Sequence, residues 1–114
     1  MKALFNKGKI VVVSPFRLVW MLTPLPSSSP AQIAFGVPVK NFRLAVDRNL
    51  VKRQMREVYR KNKSTIYSML REEQTQCAIM IVFTGKSKLP FSEVENKLRL
   101  ILQRFEHEFK KRAR

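Results

Sequence analysis

Five of the fourteen residues from Asp47 to Arg60, D-R-N-L-V-K-R-Q-M-R-E-V-Y-R, are Lys or Arg, and their spacing suits phosphate binding from one side of a helix. At ~100° per residue, Arg48, Asn49, Lys52, Arg53, Arg56 and Arg60 share an arc of roughly 140° in which Ala45 is the only apolar member. Leu44, Val51, Met55, Val58 and Tyr59 gather on a second arc, roughly 100° wide, that is expected to face a core. Asp47, Leu50, Gln54, Glu57 and Lys61 form the mixed remainder. A merely solubilising face mixes signs at i,i+4 spacing, because like charges there repel by ~0.2–0.5 kcal/mol per pair. Arg48, Lys52 and Arg56 instead make two successive like-charge pairs, and Arg53 adds to the same side. A one-sign face that costs helix stability points to a polyanionic partner. Arg makes planar, bidentate phosphate contacts, and Asn49 both donates and accepts, so it suits a base edge or a ribose hydroxyl.

Catalytic chemistry is harder to find. The carboxylates are few and scattered, and Glu72-Glu73 and Glu93-x-Glu95 have no His or Asp beside them to suggest a metal-bound nuclease centre. Cys77 is the only cysteine, which rules out an internal disulfide and a cysteine cluster for zinc; within Q-C-A-I-M-I-V-F it reads as a buried strand thiol. His107 stands alone in a charged segment and reads as a solvated helix residue. No metal site and no protein-bound cofactor are expected. Across 114 residues, 23 Lys and Arg against 8 Asp and Glu give a formal net charge of +15. Such a surface attracts nucleic acid or an anionic membrane. No apolar run approaches the ~20 residues of a membrane span, and M-K-A-L-F-N-K-G-K lacks the apolar stretch of a signal peptide, so a soluble, cytoplasmic chain without membrane association is expected. The helices have no broad apolar face to spare for lipid once a core is formed.

The elements that must position the cationic arc follow from pattern. One domain spans 1–114, with a flexible basic tail expected over about 110–114. Pro15 divides I-V-V-V-S-P-F-R-L-V-W-M-L into two strands, and in the second Phe16, Leu18 and Trp20 oppose Arg17, Val19 and Met21. T-P-L-P-S-S-S-P reads as a mobile loop. In A-Q-I-A-F-G-V-P, Ile33, Phe35 and Val37 face one way, and the small Ala34 and Gly36 face the other, where either a helix or a ligand strand could approach closely. Helical spacing over about 43–61, with Asn41 as N-cap, is followed by a second short helix after Ser64. Cys77 to Thr84 reads as a central, doubly buried strand, and after Pro90 the recurrence of Val94, Leu98, Ile101, Leu102 and Phe105 gives a final amphipathic helix. The order is that of an α+β sandwich.

A-V-D-R-N-L-V-K-R-Q-M-R-E-V-Y-R resembles the signature helix of the bacterial ribonuclease P protein subunit, A-V-x-R-N-R-x-K-R-x-x-R-E-x-[FY]-R. The resemblance continues from F-N-K-G through G-V-P-V-K and C-A-I-M-I-V-F to the last helix. It implies a four-stranded sheet packed with helices, with a left-handed crossover around the signature helix. It also implies a function: binding to a catalytic RNA, one protein per RNA, in a ribonucleoprotein that removes the 5′ leader of precursor tRNA, the RNA carrying out hydrolysis with Mg²⁺. The RNA-binding positions that carry over are Lys40, Arg43, Arg48, Asn49, Lys52, Arg53, Arg56 and Arg60; those of the leader groove are Phe5, Arg17, Val19 and Gly36. The chain departs from the pattern at Leu50, where Arg is usual, and at Val39, where a second Lys is common. The N-terminal helix is also usually longer, with another aromatic. Leu50 projects outside the cationic arc, so its effect on RNA contact is expected to be slight. A basic structural RNA-binding protein, such as a ribosomal component, is the alternative that charge alone does not separate.

Overall fold

The computed structural model describes residues 8–40 and 42–112. Strands β1 (Lys9–Val13), β2 (Phe16–Leu22) and β3 (Ala31–Gly36) precede helix α1 (Ala45–Glu72), strand β4 (Cys77–Phe83) and helix α2 (Phe91–Arg112). The sheet order is β1-β2-β4-β3. β1 with β2 and β2 with β4 are antiparallel, while β3 runs parallel to β4 and is joined to it through α1. A parallel neighbour demands such a crossover. The fold is the expected α+β class; among the described residues, two helices pack on a mixed four-stranded sheet.

Both helices pack on one sheet face. Phe16, Leu18, Trp20, Cys77, Ile79, Ile81 and Phe83 meet Val51, Met55, Val58, Ile66 and Leu70 of α1 and Val94, Leu98, Ile101, Phe105 and Phe109 of α2 in one buried cluster. Trp20 lies edge-on to Phe105 at 5.3 Å between ring centroids, a contact type that adds ~0.5–1.5 kcal/mol to its area burial.

Several sequence expectations are corrected. α1 is one unbroken 28-residue helix, with no second helix after Ser64. The polar run K-N-K-S-T contains neither Pro nor Gly, and Ile66, Met69 and Leu70 continue the buried stripe begun by Val51, Met55 and Val58. The helix starts at Ala45, after an extended Leu44 that makes no side-chain cap; Asn41 lies outside the described residues. Leu44 is therefore not a core residue, at 63% exposed. β4 is central, but its burial alternates, full on the helix face and partial on the other. The loop after β2 is tied down: Gln76 Oε1 accepts from the Leu25 amide at 2.8 Å, and its Nε2 donates to the Ser27 and Ser29 carbonyls at 2.7 and 2.9 Å. At the C-terminus, helix continues through Arg112 because Phe109 adds one more buried contact, so residues 110–112 are helical where a flexible tail was expected. The last two residues lie outside the described set.

Candidate nucleic-acid interface

The buried stripe of α1 fixes its rotation, and that rotation sets which side chains reach solvent. Val51, Met55, Val58 and Tyr59 are held in the core, and burial pushes the Tyr59 phenol above its usual range. Asn49, Arg53 and Arg56 are consequently exposed, Lys52 is half-buried, and Lys40 and Arg43 are exposed on the segment leading into the helix. Arg53, Arg56 and Lys52 have no hydrogen-bond or ion-pair partner among the described residues.

Two members of the arc are engaged within the protein. Arg48 Nη1 donates to the carbonyls of Phe42 and Arg43 at 2.6 and 3.0 Å. It thus bonds the last residues before α1, where Phe42 stacks on Phe83 at 5.8 Å between centroids. Arg60 is paired with Glu57 at 2.7 Å, and that hydrogen bond holds the Glu57 carboxyl below its ordinary range. Arg60 therefore adds less net charge to the face than its position suggests.

The loop from β4 to α2 contributes cations that helix periodicity missed. Lys88 Nζ lies 3.2 Å from Asp47 Oδ1, and Lys86 is exposed nearby in the same loop. Between this loop and α1 is an open cavity of about 550 Å³, where Lys88 and Asp47 meet Asn49, Arg53 and Arg56 over Val46 and Leu50. Leu50 is thus half-buried beside the cations, less remote from them than its angular position implied. The signal in the sequence was G-K-S-K-L-P, two lysines after a glycine in a short connection. A side chain there would crowd the core, since a Cβ on Gly85 would lie 2.7 Å from Phe83 Cζ.

Strand register brings Arg17, Val19 and Gly36 onto one sheet face, the one turned away from both helices. Arg17, Val82 and Gly36 form one cross-strand row, and Val19, Met80 and Ala34 form the next. The small residues therefore do not lie under either of the described helices. Gly36 has no positive φ, so its value there is space: a Cβ would come 3.4 Å from Met80 Cε and 3.7 Å from Val82 Cγ2. Arg17 is exposed, whereas Val19, at 1% exposed, is a floor and not a contact arm. Phe5 lies outside the described residues. Among the described residues, no three His, Cys, Asp or Glu side chains cluster so as to hold a metal ion, and no helix is long and apolar enough to cross a membrane.

A family model described as Ribonuclease P matches residues 2–106. The chain belongs to the ribonuclease P protein family. The ribonuclease P protein component of Porphyromonas gingivalis (strain ATCC 33277) is 35% identical over 100 residues, covering 88% of this chain and 73% of that one. The corresponding component of Chlorobium phaeobacteroides is 34% identical over 94 residues, covering 75% and 64%. Among solved structures, the ribonuclease P protein of Thermotoga maritima aligns with a TM-score of 0.72 at 23% identity, covering 90% of this chain and 88% of that one. The Staphylococcus aureus ribonuclease P protein aligns at 0.71 and 20% identity, covering 90% and 84%. At these identities the structural likeness speaks for the fold, and the ribonuclease P family assignment rests on the sequence matches.

Proposed function

We propose that this chain is the protein component of ribonuclease P, binding the catalytic RNA through α1 and the 5′ leader of precursor tRNA on the sheet face that carries Arg17 and Gly36. In this reading the RNA subunit carries out hydrolysis with Mg²⁺ ions, one protein serves one RNA, and the complex works in the cytoplasm. The protein has two tasks. Its cations offset phosphate repulsion in the folded RNA, and its groove raises affinity for substrate that still bears a leader.

The observation that carries the proposal is the exposed pair Arg53 and Arg56 with the half-buried Lys52, none of them partnered among the described residues, beside Asn49 in the signature helix of a chain belonging to this family. Neutralising phosphates releases counterions, which makes such binding steeply salt-dependent. The row of Arg17, Val82 and Gly36, on the face turned away from the described helices, supports the leader site, since a glycine where no unusual backbone angle requires one leaves room for a single strand.

The test mixes the protein with its own ribonuclease P RNA at a low Mg²⁺ concentration where the RNA alone is inactive. Cleavage of precursor tRNA at the mature 5′ end is expected. RNA binding without any gain in cleavage would overturn the proposal in favour of a basic structural RNA-binding protein.

A further inference from the structure

The cavity between α1 and the β4–α2 loop combines two kinds of wall. Arg53, Arg56 and Lys88 supply positive charge, while Val46 and the half-buried Leu50 supply aliphatic surface, with Asn49 between them. Its volume of about 550 Å³ falls within the 300–1,000 Å³ typical of small-ligand clefts. A uniform phosphate-binding surface has no use for an aliphatic floor. One nucleotide does, because its base presents an apolar face and polar edges and its phosphate a charge. A single acid, Asp47, enters this basic site, and it is paired with Lys88 at 3.2 Å, both side chains partly exposed.

Building on the RNA-binding reading above, we propose that this cavity binds one unstacked nucleotide of the catalytic RNA, and that Asp47 is a latch. In the free protein the Asp47 carboxylate holds Lys88. On assembly the nucleotide phosphate, flanked by Arg53 and Arg56, takes over Lys88 while the base settles over Val46 and Leu50. Asp47 thereby opposes binding and does so only through Lys88. The pair exchanges one anion for another, so no oxidant, metal or proton is needed.

The affinity of the full chain for its ribonuclease P RNA, measured between 50 and 200 mM salt, tests this. Lys88→Ala should weaken binding and flatten the logarithmic salt dependence by about one unit, so that its deficit relative to the parent shrinks about threefold across that range. Asp47→Asn should tighten binding. In the Lys88→Ala background, Asp47→Asn should have no effect; an equal gain in both backgrounds would overturn the latch. The nucleotide is located separately. Cys77 is fully buried, so a photo-crosslinker attached to Lys86→Cys, exposed in the loop beside the cavity, labels one site, and crosslinks should fall on a single unpaired nucleotide. Crosslinks spread along paired RNA would overturn the pocket. Arg53→Ala serves as reference: if it also leaves RNA affinity unchanged, the RNA-binding reading itself fails, whereas loss for Arg53→Ala alone rejects only the latch.

Discussion

Arg48 and Arg53 stand on the same charged side of α1, yet their removal should have different consequences. Arg48 Nη1 donates to two carbonyls, that of Phe42 in a partly buried setting at 2.6 Å and that of Arg43 in an exposed one at 3.0 Å. A hydrogen bond involving a charged group contributes ~1.5–3 kcal/mol when shielded and much less when solvated. Arg48→Ala is therefore expected to cost about 2 kcal/mol, nearly all from the Phe42 bond. At roughly 4 °C per kcal/mol for a chain of this size, Tm of the free protein should fall by roughly 8 °C. Arg53 is exposed with no partner among the described residues, so Arg53→Ala should leave stability within about 0.5 kcal/mol. Its cost should appear only in RNA binding, as a logarithmic salt slope shallower by about 0.7–0.9. Thermal unfolding of the free proteins, followed by salt titration of RNA affinity, separates the two effects. Equal Tm values for the two variants, or a larger loss for Arg53→Ala, would refute the bracing role of Arg48.

Other substitutions probe the remaining surfaces. Gly36→Ala fits against Met80 and Val82 and should change stability by less than about 1 kcal/mol. Its methyl group narrows the sheet face, so preference for leader-bearing precursor over mature tRNA should fall in a binding assay; equal loss for both RNAs would remove Gly36 from the leader site. Gly85→Ala places a Cβ against the Phe83 ring, which also contacts Phe16 and Phe42 at 5.3 and 5.8 Å between centroids. That crowding should cost ~1–3 kcal/mol in urea unfolding. Gln76→Ala removes three hydrogen bonds from the loop after β2, with an expected cost of ~1–3 kcal/mol. Faster amide exchange over residues 24–29 is the direct readout, and unchanged exchange would count against the tether.

Much of this architecture was legible because periodicity and burial are the same information. The alternation of Phe16, Leu18 and Trp20 with Arg17 and Val19 assigned both faces of β2 correctly, and the 3.6-residue recurrence of Val94, Leu98, Ile101 and Phe105 marked the buried side of α2. Errors arose where a long-range contact overrode a local signal. K-N-K-S-T looks like a helix end, but Ile66 and Leu70 find the core and carry the helix through. T-P-L-P-S-S-S-P looks free, yet Gln76, some fifty residues away in sequence, binds its backbone. Leu44 shares the angular sector of the core residues but precedes the helix, so the projection does not apply to it. Of the cations that line the cavity beside α1, helix projection placed Arg53 and Arg56 on one side and missed Lys88, which reaches the cavity from another element.

The absence of a break in α1 has a further consequence in length. Twenty-eight residues at ~1.5 Å each make a rod of about 42 Å, comparable to the longest dimension of the molecule, 40 Å. The cations at its beginning and the tethered loop beyond its end, held by Gln76, are therefore separated by a fixed span. From Arg53 to Glu72 the axial distance is about 30 Å. The helix is a ruler: a single RNA that touched both ends would have to bridge that gap, so contacts to the loop would report a segment distant from the one held at Arg53.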